Sequence, residues 1–202
     1  MTCEAGDVIV EPRLRTVVLV EGVSDQVAVG TLAARRRRSL EAEGVAVVPI
    51  GGAKSIRRYL DRFGPKGLDV GLAGLCDAGE ERDFARGLEY AGLGVDLDRS
   101  DLAALGFHVC VADLEDELIR ALGPGAVERV IEEQGELASL RTLQRQPAQR
   151  GRAIEAQLRR FIGSRSGRKE RYARVLVQAL NLDRVPPPLD GLLTQLSTRS
   201  PS

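Results

Sequence analysis

Four short apolar runs, each continuous rather than alternating with polar residues, mark the first part of the chain. They cover residues 16–20 (TVVLV), 45–50 (VAVVPI), 70–76 (VGLAGLC) and 107–112 (FHVCVA). Continuous apolar runs bounded by turn residues are typical of strands buried on both faces, as in a parallel sheet. Pro49 lacks a backbone N–H, so we expect the second strand to weaken there or to lie at a sheet edge.

Segments with helix signals separate these runs. After the first run, Ser24 or Asp25 can cap a helix predicted to continue through residues 26–43 and to stop before Gly44. Further helices are predicted over residues 55–63, 80–90 and 113–122, with a loop containing Gly and Asp between residues 90 and 107. Strands that alternate with helices predict an α/β fold, with a mainly parallel four-stranded sheet and helices on both faces.

The pattern changes after Gly125. No strand is predicted beyond it, and the remaining segments are amphipathic helices. One helical face carries Ile154, Leu158, Phe161 and Ile162, and another carries Tyr172, Val175, Leu176 and Leu180. We therefore expect an α/β domain over residues 14–125 and a helical region over residues 126–202, whose tail from Pro186 onward is loosely ordered.

The composition narrows the functional classes. Lys+Arg and Asp+Glu both number 29, so net charge neither indicates nor excludes a nucleic-acid partner. The absence of Trp argues against stacking platforms for single strands, and a single His argues against a zinc cluster.

Three cysteines without a CxxC pair suit a reducing compartment. With no membrane-length apolar window and no signal-peptide pattern near the start, we expect a soluble cytoplasmic protein.

Carboxylates follow three of the predicted strands. Glu21 ends the first strand, Asp77 the third, and Asp113 the fourth, with Glu115 just beyond it and Asp25 about one turn beyond Glu21. Carboxyl ends of parallel strands meet at one edge of a sheet, where such acids would repel one another unless a hard divalent cation, usually Mg²⁺, bound them. Any one of these acids alone is equally well explained as a helix N-cap.

Several of these segments resemble one family. Residues 19–25 (LVEGVSD) resemble the glutamate motif of TOPRIM domains, found in topoisomerases, bacterial primases and OLD (overcoming lysogenization defect) nucleases, and are most similar to the OLD form. Residues 48–55 (VPIGGAKS) resemble the second-strand segment of that group, residues 74–77 (GLCD) its DxD region, and residues 113–118 (DLEDEL) its later acidic motif. The resemblance covers residues 14–125 and implies a TOPRIM (Rossmann-like) fold.

The resemblance also implies roles for individual residues. Glu21 would be a metal ligand or general acid/base, Asp77 the principal metal ligand, and Asp25 and Glu115 ligands of a second metal. The cofactor would be Mg²⁺, with Mn²⁺ as a substitute. One departure stands out, because Gly79 replaces the second aspartate of DxD. Glu80 or Glu81 is the candidate to substitute for it.

Basic residues provide further candidates. Lys169 resembles in context the lysine that OLD nucleases place near the scissile phosphate, and Arg168 beside it and Lys54 are candidate nucleic-acid contacts. The GGAKS sequence around Lys54 is not a P-loop, because Ala53 replaces the required glycine. The four arginines at residues 35–38 either hold phosphates or, as the geometry of a helix favours, form a solvated face.

Two functional hypotheses follow from the resemblance. In the first, the chain is a Mg²⁺-dependent endonuclease or nucleotidyl-transfer enzyme that acts on DNA, with phage defence as its setting. In the second, it is a catalytically reduced TOPRIM module that binds nucleic acid or a separate ATPase chain, since no ATPase motif is present in this sequence. The oligomeric state stays open, with a homodimer as one option.

Overall fold

A four-stranded parallel sheet forms the centre of the computed structural model, which describes residues 14–164 and 167–198. Its strands are β1 (Thr16–Val20), β2 (Val45–Pro49), β3 (Gly71–Cys76) and β4 (Phe107–Val109). The spatial order is β2-β1-β3-β4, and every neighbouring pair is parallel. The predicted α/β sheet is therefore confirmed, and Pro49 ends an edge strand, where a missing N–H costs least.

The register of the strands determines which residues meet at the carboxyl edge. Val20 pairs with Pro49 on one side and with Leu75 on the other, and Cys76 pairs with Val109. The residues that follow β1 and β3 therefore leave the sheet at nearly the same level.

Alternate residues of the strands enter two different cores, as expected for a sheet covered on both faces. Val17 and Leu19 pack into one core with α2 (Ile56–Phe63), α3 (Glu81–Tyr90) and α4 (Arg99–Leu105). Val18 and Val20 pack into the other core, against α1 (Val23–Arg35) and α5 (Leu114–Leu122).

Five more helices complete this second core. They are α6 (Pro124–Glu133), α7 (Leu137–Gln144), α8 (Ile154–Ile162), α9 (Arg168–Ala179) and α10 (Pro187–Thr198). The predicted apolar faces are buried as expected, with Leu158 and Phe161 on α8 and Tyr172 and Leu176 on α9 fully enclosed. Helix α9 packs directly on α1, which carries the first site segment at its start.

The first helix is shorter than predicted. Helix α1 ends at Arg35 rather than at residue 43, and Arg37 adopts a left-handed conformation with φ of 59°. Arg35 donates to the carbonyls of Val177 and Leu180 at 2.8 and 2.7 Å, at the end of α9, where exposed carbonyls attract a cation.

The remainder of the arginine run is also used for packing. Arg36 pairs with Asp190 of α10, and Arg38 donates to the Leu193 carbonyl and pairs with Glu43. Of the four arginines, Arg37 is exposed and the other three are partly buried. Neither a phosphate site nor a solvated face describes this run, because three of its members hold the C-terminal helices against α1.

Two segments predicted as irregular are helical. Helix α4 lies within the predicted loop, and Asp98 caps it by accepting from the backbone of Ser100 and Asp101 at 2.8 and 2.9 Å. The tail predicted to be loosely ordered forms α10 as far as Thr198, while residues 199–202 lie outside the described part of the chain. The sequence does contain a signal for α10, which is the helical spacing of four leucines that are buried in the structure, Leu189, Leu192, Leu193 and Leu196.

Two further predictions concern cysteines and membranes. Cys76 and Cys110 are free and buried, while Cys3 lies outside the described residues. Within the described ranges, no helix is long and apolar enough to cross a membrane.

Gly74 provides a test of how tightly the sheet is packed beneath the carboxyl edge. A Cβ atom there would lie 2.4 Å from the Phe107 ring and 2.9 Å from the Leu19 carbonyl oxygen. We expect Gly74→Ala to lower the free energy of unfolding by about 1–3 kcal/mol, as overpacking does. Urea denaturation followed by circular dichroism would measure the change.

The matched control is Gly30→Ala on α1, where a Cβ meets no atom within 4 Å. Because alanine favours a helix more than glycine, this variant should gain about 0.5–1 kcal/mol. A Gly74→Ala protein as stable as the wild type would contradict the packing described here.

Candidate metal centre

The turn between β1 and α1 places the first two carboxylates. Glu21 directly follows β1, and its carbonyl oxygen accepts from the N–H groups of Gly51 and Gly52 at 3.0 and 3.2 Å. Asp25 is 9% exposed, and its Oδ2 accepts from the Gly22 N–H at 2.9 Å. Asp25 is therefore a helix cap, as its alternative interpretation predicted, but it also faces the same space as Glu21.

Asp77 follows β3 and is half-buried beside Glu21. The two carboxyl groups lie within hydrogen-bonding reach of each other, so one proton can be shared between them. Gly79 is exposed, and a Cβ built on it would meet no atom within 4 Å. The position where the family has its second aspartate is therefore open rather than filled by another side chain.

Glu115 and Lys169 close the opposite side of the site. Glu115 lies in the first turn of α5 and is 5% exposed, and its Oε2 is 3.1 Å from Lys169 Nζ on α9. Since α9 packs on α1, a residue remote in sequence reaches the carboxyl edge of the sheet. Burial opposes the charged form of Lys169, but the carboxylates of Glu115, Asp113 and Asp25 together outweigh burial and raise the pKa of the ammonium group.

These side chains line one cavity of about 410 Å³, which we call the carboxylate cavity. Four acidic residues and one lysine of the predicted site meet in this cavity. The lining residues that carry the argument are Glu21, Asp25, Gly52, Asp77, Glu115 and Lys169.

The electrostatics of the cavity favour uptake of positive charge. Burial, together with Glu21 and the other nearby acids, raises the pKa of Asp77 to about 8. Burial also raises the pKa of Asp25 to about 6, and burial with the Glu80 carboxylate raises the pKa of Glu21. Three carboxylates that resist ionisation in one cavity form a site that either binds protons or binds a cation.

The donor set fits a hard divalent cation, since it consists of carboxylate oxygens. Among the described residues, no three acidic, Cys or His side chains are already gathered as a ligand set. Asp25 is occupied with the Gly22 N–H, and Glu115 is occupied with Lys169. Glu21 and Asp77 are therefore the pair best placed to hold a cation, and Asp25 and Glu115 would have to exchange partners to join them.

Three of the predicted site residues lie elsewhere. Glu80 is near enough to influence Glu21, but its Oε2 accepts from the Ala53 N–H at 3.1 Å and it does not line the carboxylate cavity. Lys54 is exposed on the turn after β2, outside the lining.

Arg168 has a structural position instead of a nucleic-acid contact. It is 4% exposed, donates to the Phe161 carbonyl at 3.0 Å and to Glu136 at 2.9 Å, and stacks on the Phe161 ring. Its guanidinium is enclosed by protein groups, which leaves it no face for a phosphate. The adjacent Arg165 and Ser166 lie outside the described residues.

Sequence reasoning missed Glu170, and it placed Asp113 at the carboxyl edge without its partner Arg159. Glu170 also lines the carboxylate cavity, and Asp113 accepts from Arg159 on α8 at 2.5 Å. The spacing of Glu170 next to Lys169 was visible in the sequence, but the Asp113–Arg159 pair joins α5 to α8 and carries no local signal.

Comparison with known proteins agrees with the resemblance. Residues 14–78 match the family model described as overcoming lysogenization defect protein-like, TOPRIM domain. This match ends one residue after Asp77. No curated protein sequence matches the chain. TOPRIM domains in general bind divalent metal ions and carry nucleotidyl-transfer or nuclease activity.

Solved structures extend the likeness to nearly the whole chain. The C-terminal region of the Xanthomonas campestris pv. campestris OLD protein, phased with mercury, has a TM-score of 0.69 and 27% identity, over 91% of this chain and 95% of that one. For the C-terminal region of the Burkholderia pseudomallei OLD protein, the TM-score is 0.70 at 21% identity, over 93% and 99%. Residues 14–78 are therefore an OLD-like TOPRIM domain, and the chain as a whole has the fold of the C-terminal region of OLD proteins.

Proposed function

We propose that the carboxylate cavity binds Mg²⁺ and hydrolyses phosphodiester bonds of DNA. The observation that carries the proposal is the shared lining of one cavity by Glu21, Asp25, Asp77, Glu115 and Lys169. Acids alone would serve any cation site. A lysine facing them adds a fixed positive charge for an anionic substrate, which a purely structural cation site does not need.

The roles of the residues follow from their charges. Asp77 and Glu21 would hold the ion, with Asp25 and Glu115 recruited when a second one binds. When bound, Mg²⁺ neutralises phosphate oxygens and increases the acidity of water. Mn²⁺, which accepts the same oxygen ligands, should replace it.

Lys169 and Glu21 would act on the substrate itself. The raised pKa of Lys169 keeps its ammonium group charged, so it would donate a hydrogen bond to a phosphate oxygen rather than accept a proton. Glu21, whose pKa is raised by burial and by Glu80, is suited to accept the proton of an attacking water. The water oxygen forms the new bond to phosphorus, the bond from phosphorus to the leaving oxygen breaks, and the leaving oxygen takes up a proton from solvent.

Gly79 favours a second candidate, a module that binds nucleic acid or a separate ATPase chain without turnover. With one aspartate of the DxD pair replaced, one ligand is missing, and Glu80 is engaged with the Ala53 N–H. Lys54, exposed two residues after Gly52 of the cavity lining, remains a proposed nucleic-acid contact under either function. We also propose, as expected from the resemblance to OLD nucleases, that the chain has an ATPase partner and acts in phage defence.

Plasmid cleavage tests the first function. We expect purified protein to nick or cut supercoiled plasmid with Mg²⁺ or Mn²⁺ and to be inactive with EDTA. Asp77→Asn should reduce the rate at least about 100-fold, because loss of groups that merely support metal ligands already costs 10–100-fold. Gel electrophoresis of time courses would measure the rates.

The control for this variant is Asp61→Asn, the same chemical change at an exposed position on α2. It should cleave like the wild type. Cleavage that persists in Asp77→Asn would refute the proposed site, and absence of cleavage with either ion would favour the binding module.

Placing an aspartate at position 79 distinguishes the nuclease from the binding module more sharply. Because Gly79 has open space around its Cβ position and does not require a left-handed conformation, Gly79→Asp should fold without strain. A further carboxylate two residues from Asp77 should tighten Mg²⁺ binding, since cation affinity rises with the number of charged ligands. Calorimetric titration and the same plasmid assay would measure both effects.

Gly30→Asp adds the same charge at an open position on α1 away from the cavity and should change neither quantity. If Gly79→Asp binds Mg²⁺ no better than the wild type, the missing-ligand interpretation of Gly79 is wrong.

A further inference from the structure

A second cavity, of about 280 Å³, adjoins the carboxylate cavity. We call it the arginine cavity. Glu115 and Lys169 line both cavities, so the two spaces share a wall. Its charged lining residues are Asp113, Glu115, Arg152, Arg159, Arg160 and Lys169.

The charges of the arginine cavity do not balance. Asp113 pairs with Arg159 at 2.5 Å, and Glu115 pairs with Lys169 at 3.1 Å. Neither Arg152 nor Arg160 has a carboxylate partner in the described part of the chain, and both are exposed. In a protein with equal numbers of acidic and basic residues, two unpaired guanidinium groups facing one cavity form a local excess of positive charge.

Helix α8 carries Arg160, and the bend just before the helix carries Arg152. Ala156 and Arg160, four residues apart on α8, line the cavity together with Arg152 in the bend before the helix, while Leu158 and Ile162 are buried in the core behind them. The backbone just before α8 is fixed by Gln157, whose amide donates to the carbonyls of Gln149 and Arg152 at 3.0 Å each. Arg159 is oriented by Asp113. Arg160 is thus attached to a packed helix, and the backbone of Arg152 is tied to the same helix through Gln157.

We propose that the arginine cavity binds a second phosphate of the same nucleic-acid strand whose scissile phosphate enters the carboxylate cavity. This rests on the function proposed above. A phosphodiester chain leaving the first cavity past Lys169 and Glu115 enters a space with two free guanidinium groups, which bind phosphate through paired N–H donors. None of the described lining residues is aromatic, so the strand is held by its backbone and not by stacked bases.

The salt dependence of DNA binding tests the proposal. Fluorescence anisotropy of a labelled 30-base-pair duplex, with Ca²⁺ in place of Mg²⁺ to limit cleavage, gives the affinity at several salt concentrations. We expect Arg152→Ala/Arg160→Ala to weaken binding at least about tenfold, the effect of losing one charge-assisted contact. The slope of log K against log salt should fall by about 1.8, for two phosphate contacts at about 0.9 each.

Three controls accompany this variant. Arg82→Ala/Arg86→Ala removes the same charge from exposed positions on α3, on the other face of the sheet, and should keep the wild-type slope. Arg152→Lys/Arg160→Lys retains the charge and should keep most of the slope. Calorimetric Mg²⁺ affinity of the double alanine variant should equal that of the wild type, because the carboxylate cavity is intact.

The outcomes separate this inference from the function on which it rests. If the wild type binds the duplex and both double alanine variants bind it equally, the arginine cavity is not a phosphate subsite, and the proposed function stands. If the wild type does not bind the duplex at any salt concentration, both proposals are wrong.

Discussion

Repulsion among buried carboxylates is the constraint on which the rest of this structure depends. Glu21 and Asp77 lie side by side at the carboxyl edge of the sheet, with Asp25 and Glu115 on the wall of the same cavity. Burial and mutual repulsion raise the pKa of Asp77 to about 8. Keeping these groups ionised near neutral pH therefore destabilises the folded protein. A cluster of this kind is stable only if the surrounding scaffold is rigid enough to prevent the acids from separating.

The scaffold meets this requirement from both faces of the sheet. Gly74 lets Phe107 pack against β3 two residues before Cys76, which fixes the strand that leads into Asp77. On the other face, Arg35 binds the carbonyls at the end of α9, and α9 packs along α1. The same contact that stabilises the helical region therefore delivers Lys169 to the acids, so packing and chemistry depend on one interface.

The parts that could be predicted from sequence are those with a local cause. Continuous apolar runs indicated all four strands, and Glu21 and Asp77 could be assigned to one edge because parallel strands end together. The resemblance to TOPRIM domains added Lys169, which no local pattern near Glu115 would have selected. Asp25 illustrates that a helix cap and a cavity residue can be the same side chain.

The parts that could not be predicted depend on distant partners. Just beyond the end of helix α1, Arg36 and Arg38 find partners on α10, and Arg168 is buried because Glu136 and Phe161 enclose its guanidinium. In sequence, Arg168 and Arg160 are both arginines at the surface of amphipathic helices. Only the packing of α8 and α9 distinguishes the buried structural arginine from the free one.

The rise in melting temperature caused by Mg²⁺, measured between pH 6 and pH 8.5, tests the central claim most directly. The pKa of Asp77 lies above its ordinary value of 3.8, so the metal-free folded protein binds this proton more tightly than the unfolded chain does. Its stability should therefore fall as pH rises toward 8, and Mg²⁺, which competes with the proton, should restore more of it at higher pH.

We predict that Mg²⁺ raises the melting temperature of the wild type more at pH 8.5 than at pH 6, and that Asp77→Asn loses this response. About 1 kcal/mol of binding linkage corresponds to roughly 2–4 °C for a protein of this size. A rise that is independent of pH, or that persists in Asp77→Asn, would contradict the account.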